Sequence, residues 1–307
     1  MSLLDVLVIS CNQQKYQEVF IENKGKLLVS ICLNFIKTSE VEADLIVEDA
    51  TEFVNLAIDS CDKQKSETVK THACKLFENL CDNIDGSTTF GAIFCCNAIN
   101  KVYGKPISEE AFWGMETDPF LANNEPEFIV ESCLVALTVM SYILPERKDL
   151  TLLFTDCMQV NINEMLERKS ILPDFTHLQV AKAVIVRVRL SLMIGYYGDL
   201  LFENQLDSFK KTTSFLFESV GIVEGPERVV GLQSIDTLKT ITVDSDVAKR
   251  YLAFLPEIVQ WITQLIATSS IPQFFEFVLE FGKFYCRVMN EQILIVFDAV
   301  VNRVLHE

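Results

Sequence analysis

The sequence predicts an all-α fold, arranged as an α-solenoid of stacked antiparallel helix pairs. Three observations carry that expectation. Apolar residues recur at helical spacing from one end of the chain to the other. The periodic stretches are separated by glycine, proline or acidic breaks, at about 40 residues per pair. Strand-like alternation is confined to Val184–Leu192, "VIVRVRLSL", which lies inside a longer helical window without turn signals and is read as helix. Within that helix Arg187 and Arg189 need partners, or must reach solvent along their stems.

Taken in order, two helices are expected over Leu3–Phe20 and Lys26–Thr38. Thr51–Ser60 is a short helix with Phe53, Leu56 and Ala57 facing inward. Glu67–Ile84 is the clearest pattern. Val69, Ala73, Leu76, Phe77, Leu80 and Ile84 share one face, and Glu67, Thr71, Lys75, Glu78 and Asp82 the other. Ser66 is its expected N-cap and Gly86 its stop. Glu48–Gly86 therefore reads as one repeat: short helix, break, long helix. Helices follow over Gly86–Tyr103, Phe128–Leu144, Leu150–Arg168, Phe175–Tyr197 and Glu203–Val220. Pro226–Val243 starts on a proline, which suits a first helical turn. Val247–Ala267, Gln273–Met289 and Gln292–Leu305 complete the chain. Each pair has an apolar side it cannot bury alone, and stacking covers that side while leaving two long solvent faces. Residues 1–307 are read as a single segment of about six or seven such repeats.

Charge narrows the partners. With 43 acidic against 26 basic side chains the net charge is −17, which argues against nucleic acid, where cations do the binding. Such a field attracts and orients basic partners, besides keeping the chain soluble. The ten cysteines are scattered without a C-x-x-C, and only His72, His177 and His306 are available to join them. Neither a zinc site nor any other metal or cofactor is expected. Reduced, core-filling thiols are expected instead, as in the cytosol or nucleus. No membrane insertion is expected. The apolar run Ser132–Leu144 is too short, and Ile258–Phe275 carries glutamines, threonines, serines and Pro272.

Catalytic signatures are missing. There is no phosphate loop, dinucleotide fingerprint, H-E-x-x-H or G-x-S-x-G. Gly25-Lys26 and Gly104-Lys105 are followed by Leu and Pro, so neither is a phosphate loop. The carboxylate pairs Glu109-Glu110 and Glu276/Glu280 are expected on solvated surface, without the burial a general acid needs. What remains is shape and charge. Acidic residues gather in two expected loops, Ser39–Asp49 and Met115–Glu127, and along the outward stripe Glu67, Glu78 and Asp82, with Asp85 just beyond. Ordinary solvation accounts for any one of them. Together Glu40, Glu42, Asp44, Glu48, Asp49, Glu67, Glu78, Asp82 and Asp85 form the candidate surface for a basic polypeptide, held by many modest ion pairs.

One family shares this arrangement. The run Glu48, Asp49, Glu52, Phe53, Val54, followed by a break and the helix Ser66–Ile84, resembles a segment of the importin-β (karyopherin-β) superfamily. The likeness is greatest to the branch of large importins for ribosomal proteins and histones and the exportin that recycles importin-α. "EFIVESCLVALTVMSYIL", "DFTHLQVAKAVIVRVRLSLMIGYYGDLLF" and the stretch from "AKRYLAFLPEIVQWITQLIATSS" through "FFEFVLEFGKFYCRVMNEQILIVFDAVV" match in the same order. The resemblance runs from about Lys24 onward across most of the chain. It implies HEAT/ARM-like repeats, basic protein cargo on the inner face, FG-repeat nucleoporins in apolar grooves outside, and shuttling between cytoplasm and nucleus. Receptors of this kind have around twenty repeats, so the chain resembles a central or carboxy-terminal part of one. The repeats that bind the Ran GTPase in the family are not recognisable, so any contact with Ran would come from another part. Val69-Lys70 and Val186-Arg187 fit the end of the best-known repeat pattern, while its prolines are mostly missing. A HEAT-repeat scaffold subunit that organises a multiprotein complex fits the same helices. An all-helical enzyme would require a buried polar cluster, for which the sequence gives no sign.

Overall fold

A computed structural model describes residues 3–61, 68–107, 118–171, 174–222, 224–243, 255–268 and 272–285, with a few isolated positions between 250 and 302. All regular elements among the described residues are helical, which establishes the all-α class. Val184–Leu192 lies inside the longest helix.

The elements are α1 (Leu3–Cys11), α2 (Gln17–Gly25), a π-helical stretch (Lys26–Leu33) that ends in α3 (Asn34–Ile36), α4 (Glu40–Glu48), α5 (Ala50–Cys61) and α6 (Val69–Asn83). Next come α7 (Ser87–Val102), the single turn α8 (Pro119–Asn123), α9 (Pro126–Val139), α10 (Lys148–Leu166), α11 (His177–Asn204), α12 (Leu206–Val220) and α13 (Arg228–Val243). Two more, α14 (Leu255–Thr268) and α15 (Pro272–Tyr285), follow. The helix expected over Gln292–Leu305 lies mostly outside the described residues.

Local chemistry sets the boundaries. Ser39 and Glu42 form a capping box, the Ser39 hydroxyl accepting from the Glu42 N–H and the Glu42 carboxylate from the Ser39 N–H. Hence Ser39–Asp49, expected as an acidic loop, is helix α4. Asp49 then caps α5, accepting from the Glu52 N–H at 3.0 Å. Thr68 caps α6; the expected cap, Ser66, lies outside the described residues. Thr176 and Gln179 repeat the capping box at α11. Gly86 turns the chain between α6 and α7 with φ of 70°, a conformation that favours glycine.

Packing follows two ranks. In one, α6, α9, α11, α13 and α15 each touch the next; in the other, α2, α7, α10 and α12 do. Contacts of α7 with α9, α10 with α11, and α12 with α13 join the ranks. A single apolar core runs through both. Gly231 shows how close the approach is at one end, because a Cβ there would meet the Ile222 and Ser219 carbonyl oxygens at 2.7 and 2.8 Å.

The amino-terminal helices depart from a neighbour-only stack. α4 packs on α11, and α5 on α13 more than on α6. Glu48–Gly86 is thus not a self-contained repeat. Its first helix lies across the first rank as part of an α4–α5 hairpin. α1 and the π-helical stretch also pack on α6, and Thr71 and Glu78, on the face expected to be outward, are buried.

Candidate functional site

The acidic surface divides once side chains are placed. Glu40, Glu48 and Glu52 stand exposed on α4 and α5, with no ion pair among the described residues. Asp44 is also exposed and lies 2.9 Å from Nδ1 of His177 at the start of α11. Asp49 is exposed but committed to capping. Glu42 turns inward: its Oε1 accepts from Lys70 Nζ at 2.9 Å. Glu78 is 9% exposed and so does not belong to an outward stripe. Asp82 is exposed and accepts from the Tyr142 hydroxyl at 2.5 Å, and burial together with that carboxylate pushes Tyr142 up. Asp85 is exposed, and its backbone carbonyl accepts from Lys24 Nζ at 3.1 Å. Glu67 lies outside the described residues. The structure therefore gathers Glu40, Glu42, Asp44, Glu48 and Asp49 on one hairpin, while Asp82 and Asp85 sit elsewhere, at the α6–α7 end.

Beneath that hairpin is a polar cluster that the sequence did not reveal. Glu131, at the centre of α9, is fully buried. Its carboxylate accepts from the Thr38 N–H at 2.8 Å and the Thr38 hydroxyl at 2.5 Å. Arg189 Nε donates to it at 3.2 Å, and Lys70 Nζ lies 3.5 Å away. Arg189 Nη2 is 3.9 Å from Glu42, and its guanidinium lies 5.1 Å from the centre of the Phe53 ring. Burial acts to raise the Glu42 carboxyl, but Lys70 and Arg189 outweigh it and hold Glu42 below its ordinary value. Two cations thus face two carboxylates. A separate pairing satisfies Arg187, which donates to both Glu227 oxygens at 2.5 and 2.6 Å and to the Ala183 carbonyl at 2.8 Å. One signal was legible in advance: Glu131 is the sole charge within "FIVESCLVALTV", and a charge inside an apolar run demands a buried partner.

Two surface grooves lie between helices of the second rank. The first, about 630 Å³, runs between α2 with its π-helical extension and α7, lined by Ile21, Gly25, Val29, Phe90 and Phe94 together with the charged Glu22, Lys24, Lys26 and Asp118. Phe90 and Phe94 stack with centroids 6.2 Å apart. The second, about 680 Å³ and of mixed charge, lies between α10 and α12 around Arg168, Lys210, Phe215 and Glu218. π-helical turns often accompany functional sites, which favours the first.

No group of His, Cys, Asp or Glu able to hold a metal occurs among the described residues. Burial pushes the Cys32 and Cys81 thiols up. A hydrogen bond with Cys133, then burial, does so for Cys95. These are poor conditions for a thiolate nucleophile. No described helix is long and apolar enough to cross a membrane. No protein-family model, curated protein or solved structure matches the chain.

Proposed function

We propose that the chain is a non-enzymatic binding segment of an importin-like nuclear transport receptor. In this reading its two ranks of helices are an α-solenoid of HEAT-like pairs. The carboxylates of α4 and α5 receive a basic polypeptide, and the α2–α7 groove receives the phenylalanines of FG-repeat nucleoporins. One observation carries the reading. From Glu40 to Cys61 the hairpin holds seven carboxylates and no Lys or Arg, and Glu40, Glu48 and Glu52 are exposed without ion pairs among the described residues. A hairpin of that composition repels acidic surfaces and attracts basic ones. The resemblance of the sequence to karyopherins supports the same partner class, and the Ile21, Phe90 and Phe94 side chains of the α2–α7 groove support the second ligand.

Binding of a histone or basic ribosomal protein across a salt series tests it. Affinity should fall steeply as salt rises, and Glu40→Lys, Glu48→Lys and Glu52→Lys together should weaken it at least about tenfold. Affinity indifferent to salt and to these changes would sink the reading. A scaffold subunit would instead show stoichiometric partners that resist salt, with no uptake of FG-repeat peptides.

A further inference from the structure

We propose that α4 and α5 form a strap that opens as a local unit from α11 and α13, and that the buried Glu42–Lys70–Arg189–Glu131 cluster is its latch. The strap lies chiefly on helices that follow it by more than a hundred positions, with a smaller contact of α5 on α6, the next helix in the chain. Among its described side chains only Ala43, Ile46, Phe53 and Val54 are buried apolar groups. By contrast α9 alone buries eight apolar side chains. α4, all of whose side chains are described, buries just Ala43 and Ile46, and a helix with so little apolar anchorage belongs to the low-stability end of a fold.

The polar contacts divide at one point. Thr38 is fixed to Glu131 by two hydrogen bonds, and Lys37 just before it is extended, with ψ of 155°. That pair makes a fixed pivot. Beyond it, Glu42, the Phe53 ring and the exposed Asp44–His177 contact are what must part. With the strap shut, Lys70 and Arg189 face Glu42 and Glu131, two charges of each sign. Lifting the strap removes Glu42 and leaves two cations against Glu131 alone. The strap therefore masks a cationic spot on a chain whose net charge is −17. Opening converts it into a place that an acidic group or water must satisfy.

Hydrogen exchange read by mass spectrometry on the whole chain, with no partner present, tests this. Peptides from α4 and α5 should exchange at least about tenfold faster than those from α9 and α11, at a rate indifferent to low urea, as local opening requires. Glu42→Gln should speed α4 and α5 by a further factor of about ten and leave α7 and α10 unchanged. The wild-type measurement stands alone if the variant fails to fold. Equal protection of α4, α5, α9 and α11 in the wild type would overturn the proposal. So would a Glu42→Gln effect spread evenly over every helix.

Discussion

Glu131 and Thr38 are 93 positions apart, yet the Glu131 carboxylate takes both the N–H and the hydroxyl of Thr38, at 2.8 and 2.5 Å. These bonds fix the start of α4 to the middle of α9. Lys70 and Arg189 complete the shell from α6 and α11, so one carboxylate ties four elements.

Glu131→Ala should therefore be severe. The loss is not a contact energy but the exposure of two buried cations to a site that no longer balances them. Breaking such a cluster costs about 3–5 kcal/mol. Chemical denaturation should show the midpoint falling with little change of slope. Replacing Glu42, Lys70, Glu131 and Arg189 together by Met, Met, Leu and Met, so that no charge of the cluster is left behind, should recover much of the loss, because a well-packed apolar set has no charges to desolvate. If the single variant matched wild type, the cluster would contribute nothing.

Acid should act on the same place through Glu42. Its folded-state pKa lies below the ordinary 4.5, so its ionised form is favoured by folding. That contribution is fully present above about pH 4.5 and is lost as pH falls through the lower folded-state value. Glu42→Gln should accordingly be less stable than wild type at pH 7, and the gap should close as pH falls below 4.5. A constant gap across that range would show that charge is not what Glu42 supplies.

Much of the architecture was legible because helical periodicity and caps are local. The pattern of Val69, Ala73, Leu76, Phe77 and Leu80 specified α6, and Gly86 its stop. Ser39–Asp49 was misread as a loop because its acids dominate, although Ser39 and Glu42 stand at capping-box spacing and Ala43 and Ile46 supply an inward face. The burial of Glu78 was not legible, since it depends on which elements the fold packs around α6. Nor was the strap, because nothing in Glu40–Cys61 encodes which later helices it covers. The placement of the candidate acids was hidden for the same reason. Their charge is a property of the residues, but the inward turn of Glu42 depends on Lys70 and Arg189, which are brought to it by the fold.

Two glycines separate close approach from backbone conformation. Gly231→Ala should force α12 and α13 apart, since its Cβ would lie 2.7 and 2.8 Å from two carbonyl oxygens that cannot swing away. Overpacking of this kind costs about 1–3 kcal/mol. Gly104→Ala meets open space but keeps φ of 65°, a cost of about 1 kcal/mol. Thermal melts should rank Gly231→Ala below Gly104→Ala. The reverse order would mean that the α12–α13 contact yields easily.

The α2–α7 groove makes the second ligand of the proposed function testable apart from the first. Phe94 forms its floor and is nearly fully buried, whereas Phe90 is partly open and Ile21 lies exposed on the rim. A phenylalanine from an FG repeat would gain by covering Phe90 and Ile21, since aromatic burial supplies most of what a small apolar groove offers. Ile21→Asp introduces a charge at the rim with little cost to folding, and Phe90→Ala removes one wall. Each should weaken an FG-repeat peptide at least about fivefold by fluorescence anisotropy while leaving histone binding unchanged. Glu48→Lys should do the opposite, lowering histone affinity and sparing the peptide, because the hairpin and the groove share no lining residue. Loss of both ligands together in a variant that still melts like wild type would mean that one surface serves both, and the separate assignment of strap and groove would fall.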